Sequence, residues 1–111
     1  MAYGTLSNVK TRLNIKNTDY DAEITEILGY VSRVMDQTLG LHTDVPLPSP
    51  PDEINDVADD LAELEFRRRR LTPSEARLID VREKAKEYLQ PYLMRVYGRT
   101  FVASGSAEEA N

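Results

Sequence analysis

Five carboxylates in one short stretch, Asp52, Asp56, Asp59, Asp60 and Glu63, are the side chains whose types and spacing come nearest to chemistry. Gathered on one helical face, they would bind a divalent cation or share general acid and base work. A calcium site also takes loop carbonyls, and catalytic pairs sit in recesses, so a solvated acidic ridge accounts for them more simply. Such a ridge has a physical use of its own, because lining a conduit it repels phosphates and lets a duplex slide without sticking. Four consecutive cations follow, Arg67, Arg68, Arg69 and Arg70. Glu63 and Arg67 have the i,i+4 spacing of a helix pair, and the macrodipole favours cations at a helix C-terminus. Otherwise the run docks on an acidic neighbour or on nucleic acid, and the net charge of −5 favours the protein partner.

Other chemistries are excluded by what the chain lacks. There is no cysteine, hence no disulfide, thiolate nucleophile or cysteine metal site. His42 is the single histidine and stands in a proline-rich loop without a nucleophile motif. Glycines 4, 29, 40, 98 and 105 are isolated, so no phosphate-cradling loop exists. Tyr88, Tyr92 and Tyr97 read as amphipathic core or interface anchors rather than base-stacking platforms. No catalytic residue, cofactor or metal is expected.

The elements that must position these groups are helical. Thr5 caps a short helix carrying Leu6, Val9 and Leu13, which ends near Asn14. Ile24, Ile27, Leu28, Val31, Val34, Met35 and Thr38 make the apolar stripe of a second helix closed by Gly40. Its wet face holds Glu23, Glu26, Arg33, Asp36 and Gln37. The segment 41–51, LHTDVPLPSPP, is an extended loop, with Ser49 as the predicted cap of a third helix. That helix buries Ile54, Val57, Ala58, Leu61 and Leu64 and turns the acidic ridge outward. Thr72, Pro73 and Glu75 form a capping box, the strongest helix start in the chain. Leu78, Val81, Ala85, Tyr88, Leu89, Tyr92, Leu93 and Val96 then predict one helix to Tyr97, roughly 39 Å long and bent at Pro91. No run alternates with period two. The expectation is an all-α bundle of four helices, with a helical domain over 1–97 and an arm over 98–111 that stays flexible until a partner holds it.

With 111 residues the chain is one small domain whose core gains from neighbours. The opening MAYGTLSNVK lacks the marks of a signal peptide, and no apolar run approaches ~20 residues, so the protein reads as soluble, unsecreted and without a membrane partner. Charge is polarised: residues 1–66 carry 4 basic and 13 acidic side chains, and residues 67–111 carry 10 and 6. Opposed poles suit head-to-tail contacts better than non-specific nucleic-acid binding.

The order of these features resembles a known family. The short capped helix ending in Leu13, Asn14 and Ile15, followed by DYDAEITEILGYVSRVMDQTLG, is similar to the opening of tailed-phage head-tail connector (adaptor) proteins. Pro51, Asp52, Glu53 and Ile54, running through Leu61 to Phe66 and Arg67, resemble that family's third helix, and the two blocks cover about residues 5–70. The resemblance implies a virion neck protein that forms a ring, usually of twelve, beneath the portal. Such a ring extends the DNA channel, passes the genome without specific binding, and offers its far side to a stopper or tail-completion protein. The protein would lie at the head-tail interface of the virion, and in the host cytoplasm during assembly. It implies further that the last helix and arm engage the portal, here through Tyr92, Arg95, Tyr97, Arg99, Phe101 and Val102. The acidic ridge would line the channel or touch the neighbour, and the arginine run would complete the contact between subunits.

Two other classes remain open to the sequence. A helix-turn-helix regulator would place the helix after Thr72 in a major groove, with Arg77, Arg82, Lys84 and Lys86 on phosphates or bases. A metal-dependent enzyme would use Asp59 and Asp60.

Overall fold

In the computed structural model, which describes residues 3–98, the Thr5 hydroxyl accepts the Asn8 N–H at 3.2 Å and opens α1 (Leu6–Leu13). Asn14 closes it in the left-handed region at φ 59°, where the short polar side chain of Asn is tolerated. α2 (Asp21–Leu39) begins behind Asp21 and Glu23, whose charges suit the positive end of the helix. It ends at Gly40, as expected, although this glycine is right-handed rather than left-handed. Its small size still counts, since a Cβ there would stand 2.9 Å from the Asp36 carbonyl oxygen.

α3 (Asp52–Arg68) starts after Pro51 rather than from a cap at Ser49. Pro51 takes the extended conformation that a cap position needs, φ −69° and ψ 163°, and its carbonyl accepts the first helical N–H groups. The capping box at Thr72 forms as predicted, yet the helix it opens, α4 (Pro73–Ala76), lasts a single turn. Leu78 and Ile79 bond back three residues, and Asp80 then caps a fresh helix by accepting the Arg82 and Glu83 N–H groups at 3.0 and 3.3 Å. The last helix, α5 (Val81–Tyr97), is long and kinked as expected and carries Pro91 inside, but starts at Val81 instead of Pro73. The interruption throws Leu78 off the apolar stripe, where it is 87% exposed. Gly98 ends α5 with φ 72°.

The fold is thus all-α, with four helices as the sequence predicts plus the one-turn α4, and no strand among the described residues. α2 is the central element. Ile24, Ile27, Val31 and Met35 are fully buried against Ile54, Leu61, Leu89 and Leu93 from α3 and α5, with Val9 of α1 closing one side. The molecule measures 51 × 35 × 18 Å. Its thinnest dimension is under two helix diameters of ~10–12 Å, so α3 is covered on some faces and bare on others.

Candidate functional site

The residues singled out by type and spacing divide sharply along α3. At its start Asp52 and Asp56 are exposed, while Glu53 pairs with Arg95 at the far end of α5. Asp60 pairs with Arg12, and Glu63 with Arg67 at 3.0 Å. Asp59 leaves the ridge altogether. Its side chain is fully buried, with Oδ1 accepting the Thr5 N–H at 2.9 Å and Oδ2 the Asn8 amide at 3.1 Å. α1 and the segment before it lie on this side of α3, which turns the predicted outer face into an internal one. Asn55, one turn earlier, accepts the Gly4 N–H at 3.0 Å. Gly4 sits at φ 81°, and a Cβ there would come within 2.5 Å of Asp59 Oδ1. Only glycine lets the strand of backbone approach this closely.

The same strap reaches α2 and the proline loop through Tyr3, a fully buried side chain. Its N–H donates to Ser32 Oγ at 2.8 Å, and its hydroxyl donates to Asp36 while accepting the Leu47 N–H at 2.9 Å. Burial and the bond to Asp36 push the phenol up to about 12. Nothing in the sequence singles out Tyr3, because its partners lie 29 to 44 positions away.

The arginine run is consumed within the molecule. Glu65, 1% exposed, accepts a bidentate pair from Arg68 at 2.7 and 2.8 Å and a further bond from Arg69 at 2.8 Å. Burial alone would raise this carboxyl, but the hydrogen bonds from Arg68 and Arg69 outweigh it and hold the group below its ordinary range. Arg69 also reaches Glu26 at 3.0 Å, and Arg70 grips Glu23 at 2.7 and 3.2 Å. The bond from Arg70 lowers the Glu23 carboxyl. These contacts rivet the end of α3 to the start of α2. The i,i+3 and i,i+4 spacing of Glu65 to Arg68 and Arg69 signals the pairs local to α3, whereas those to Glu23 and Glu26, 47 and 43 positions away, carry no local signal.

Beside that rivet lies an open groove of about 460 Å³. Leu13, Ile15, Tyr20, Phe66 and Leu71 give it apolar walls, and Arg67 and Arg70 its only charged lining. The Arg70 guanidinium covers Phe66 at 3.5 Å from the ring centre, and Tyr20 meets Phe66 edge-on at 5.5 Å. Tyr20 and Leu71 remain 39% and 38% exposed.

At the opposite end, α5 finishes beside the start of α3. Tyr92 is buried rather than presented for contact; it supports Tyr97, whose ring meets it edge-on at 6.4 Å and stacks on His42 at 5.2 Å. Burial and the neighbouring Tyr97 raise the Tyr92 phenol. Arg95, Met94 and Val96 face outward. Arg99, Phe101 and Val102, with the rest of the arm beyond Gly98, lie outside the described residues.

These placements bear on the other two classes. Asp59 and Asp60 enter separate partnerships, and no group of three or more His, Asp or Glu among the described residues is arranged to hold a metal. A helix-turn-helix reading is not supported: Lys84 and Lys86 pair with Glu87 and Glu83 on their own helix at 3.4 and 3.5 Å. No helix among the described residues is long and apolar enough to cross a membrane. Compared with known proteins, residues 3–81 match the family model described as Phage gp6-like head-tail connector protein. No curated protein and no solved structure matches the chain.

Proposed function

The chain belongs to the phage gp6-like head-tail connector family, a structural component of the virion neck, and on that premise we propose that it forms a ring, dodecameric as the resemblance implies, beneath the portal. The observation that carries this reading is the match over residues 3–81, which spans the bundle from the Tyr3 strap to the start of α5. The geometry supports it in two ways. The two ends of α3 differ in chemistry, and ring contacts of the heterologous kind need two different patches on each subunit. Pairing of Arg69 with Glu26 and of Arg70 with Glu23 also ties the end of α3 to the start of α2, a cross-brace suited to a spacer.

The free end of α5, where Arg95 and Tyr97 stand on buried Tyr92 with Arg99 next in sequence, is the surface offered to the portal. Asp52 and Asp56, exposed and flanked by Asp60 and Glu63, face the channel or the adjoining subunit and discourage phosphates from settling. Genomic DNA passes without specific binding, and the far side of the ring receives a stopper or tail-completion protein. Assembly takes place in the host cytoplasm. Negative-stain microscopy of the protein mixed with its portal tests this reading. A ring seated on the portal is the expected image; monomer alone, with the portal bare, overturns it.

A further inference from the structure

We propose that the groove between the end of α1, Tyr20 and the end of α3 receives Phe101 and Val102 from the arm of a neighbouring copy. The inference rests on the ring reading above and adds to it the segment that joins one subunit to the next.

Three observations converge on this occupant. The groove is apolar and unpartnered, and about 460 Å³ admits an aromatic together with an aliphatic side chain. Residues 99–111, RTFVASGSAEEAN, contain one apolar pair of that kind, Phe101 and Val102. Charge agrees with shape. Arg67 and Arg70 in its lining already pair with Glu63 and Glu23, so the charge at the rim is that of exposed Lys16, next to Ile15, whereas the arm beyond Val102 carries only Glu108 and Glu109. Extended, the six residues from Val102 to Glu108 span up to ~20 Å, enough to set a carboxylate against the rim once the apolar pair is seated.

Reach then decides which copy donates the arm. Arg95 touches Glu53, so α5 ends beside the start of α3, and Phe66 stands 13 residues further along α3, about 20 Å away at 1.5 Å per residue. Phe101 lies three residues beyond Gly98 and extends at most ~11 Å from it. That backbone tether is about half the offset along α3, so the donor assigned to each groove is a neighbouring copy. Donor and acceptor stand at opposite ends of the subunit, which is the head-to-tail arrangement a closed ring requires. The family resemblance implies the portal for Phe101 and Val102; the groove matches their chemistry with surfaces the chain itself supplies.

Because the native sequence has no cysteine, disulfide trapping in the full chain is clean. In a Leu71→Cys, Val102→Cys double variant, mild oxidation should produce a ladder of covalent multimers whose peptides show the 71 to 102 linkage. Each single variant should give dimers at most. Adding Phe101→Ala should lower the yield on the order of tenfold through the lost burial of the ring, and Phe101→Leu should restore most of it. A self-closed monomer overturns the exchange between copies. Free thiols in particles that micrographs show as rings also overturn it, while leaving the ring itself standing; absence of both link and ring removes the ring reading as well.

Discussion

The two ends of α3 carry opposite charge and opposite fates. At its start Asp52 and Asp56 remain in solvent, whereas at its end Arg68, Arg69 and Arg70 are locked onto Glu65, Glu26 and Glu23. Counting charge along the sequence treats these regions as two equivalent poles. The structure makes one of them an available surface and the other an internal fastening. What distinguishes them is the neighbour: α2 brings glutamates to the arginines, while nothing basic among the described residues except Arg95 is brought to the start of α3. A charged run is a docking surface only to the extent that its own fold leaves it unneutralised.

Substitutions along α3 can break that contrast. Asp59→Ala removes the acceptor for the Thr5 N–H and the Asn8 amide in a buried site and should cost about 3 kcal/mol in urea unfolding. Asp56→Ala, one turn earlier and exposed, should stay within about 0.5 kcal/mol. If the two cost the same, the division between buried and available acids is wrong. Next in size, Glu65→Ala strands Arg68 and leaves Arg69 to Glu26, both arginines being about a third exposed, and should cost about 2 kcal/mol, below the full figure for a buried pair because water reaches the partners.

Tyr3→Phe should cost about 1 to 2 kcal/mol by orphaning the Leu47 N–H and the Asp36 carboxylate. It should also change the alkaline limb of stability. A phenol raised from 10 to about 12 stabilises fully below pH 10, and that contribution fades as pH climbs toward 12. Thermal melts across this window should show a steeper decline in the native chain than in the variant, which keeps only the smaller contribution of the raised Tyr92 phenol. The acid limb has the reverse sign. Glu65 and Glu23 are lowered from 4.5, so their contribution is complete above that value and is lost as pH falls below it. Glu65→Gln should flatten the loss. Smallest of all, Arg67→Ala breaks one exposed i,i+4 pair and should shift stability by about 0.3 kcal/mol.

Much of this architecture was legible. Period located α2 and α3, and caps located the start of α1 and the capping box at Thr72, because those signals are local, while the start of α3 fell at Pro51 rather than at a Ser49 cap. The continuous helix from Pro73 failed because the apolar spacing of Leu78 and Val81 imitates a stripe across a break, while Asp80, an effective cap, looks like any surface acid. Asp59 was misplaced for a related reason. Helical periodicity separates one buried face from one wet face, and α3 is covered on more than one side. Its Asn55, Asp59, Ala62 and Phe66 form a second row, visible only once α1 and the Tyr3 strap are known to lie there. The groove was illegible since its walls come from α1, the turn at Tyr20 and the end of α3. Membership of the connector family was readable from the order of blocks, and the match over residues 3–81 agrees.

Tyr3, Gly4 and Thr5 precede all the partners named for them, since their bonds run to Ser32, Asp36, Leu47, Asn55 and Asp59. α2 and the proline loop supply the partners of Tyr3 first, but those of Gly4 and Thr5 arrive only with α3, so the latch cannot close fully until α3 has been made. Deuterium uptake at the Tyr3 and Thr5 amides, each held by a side chain from a different helix, consequently reports when the whole assembly of helices comes ajar.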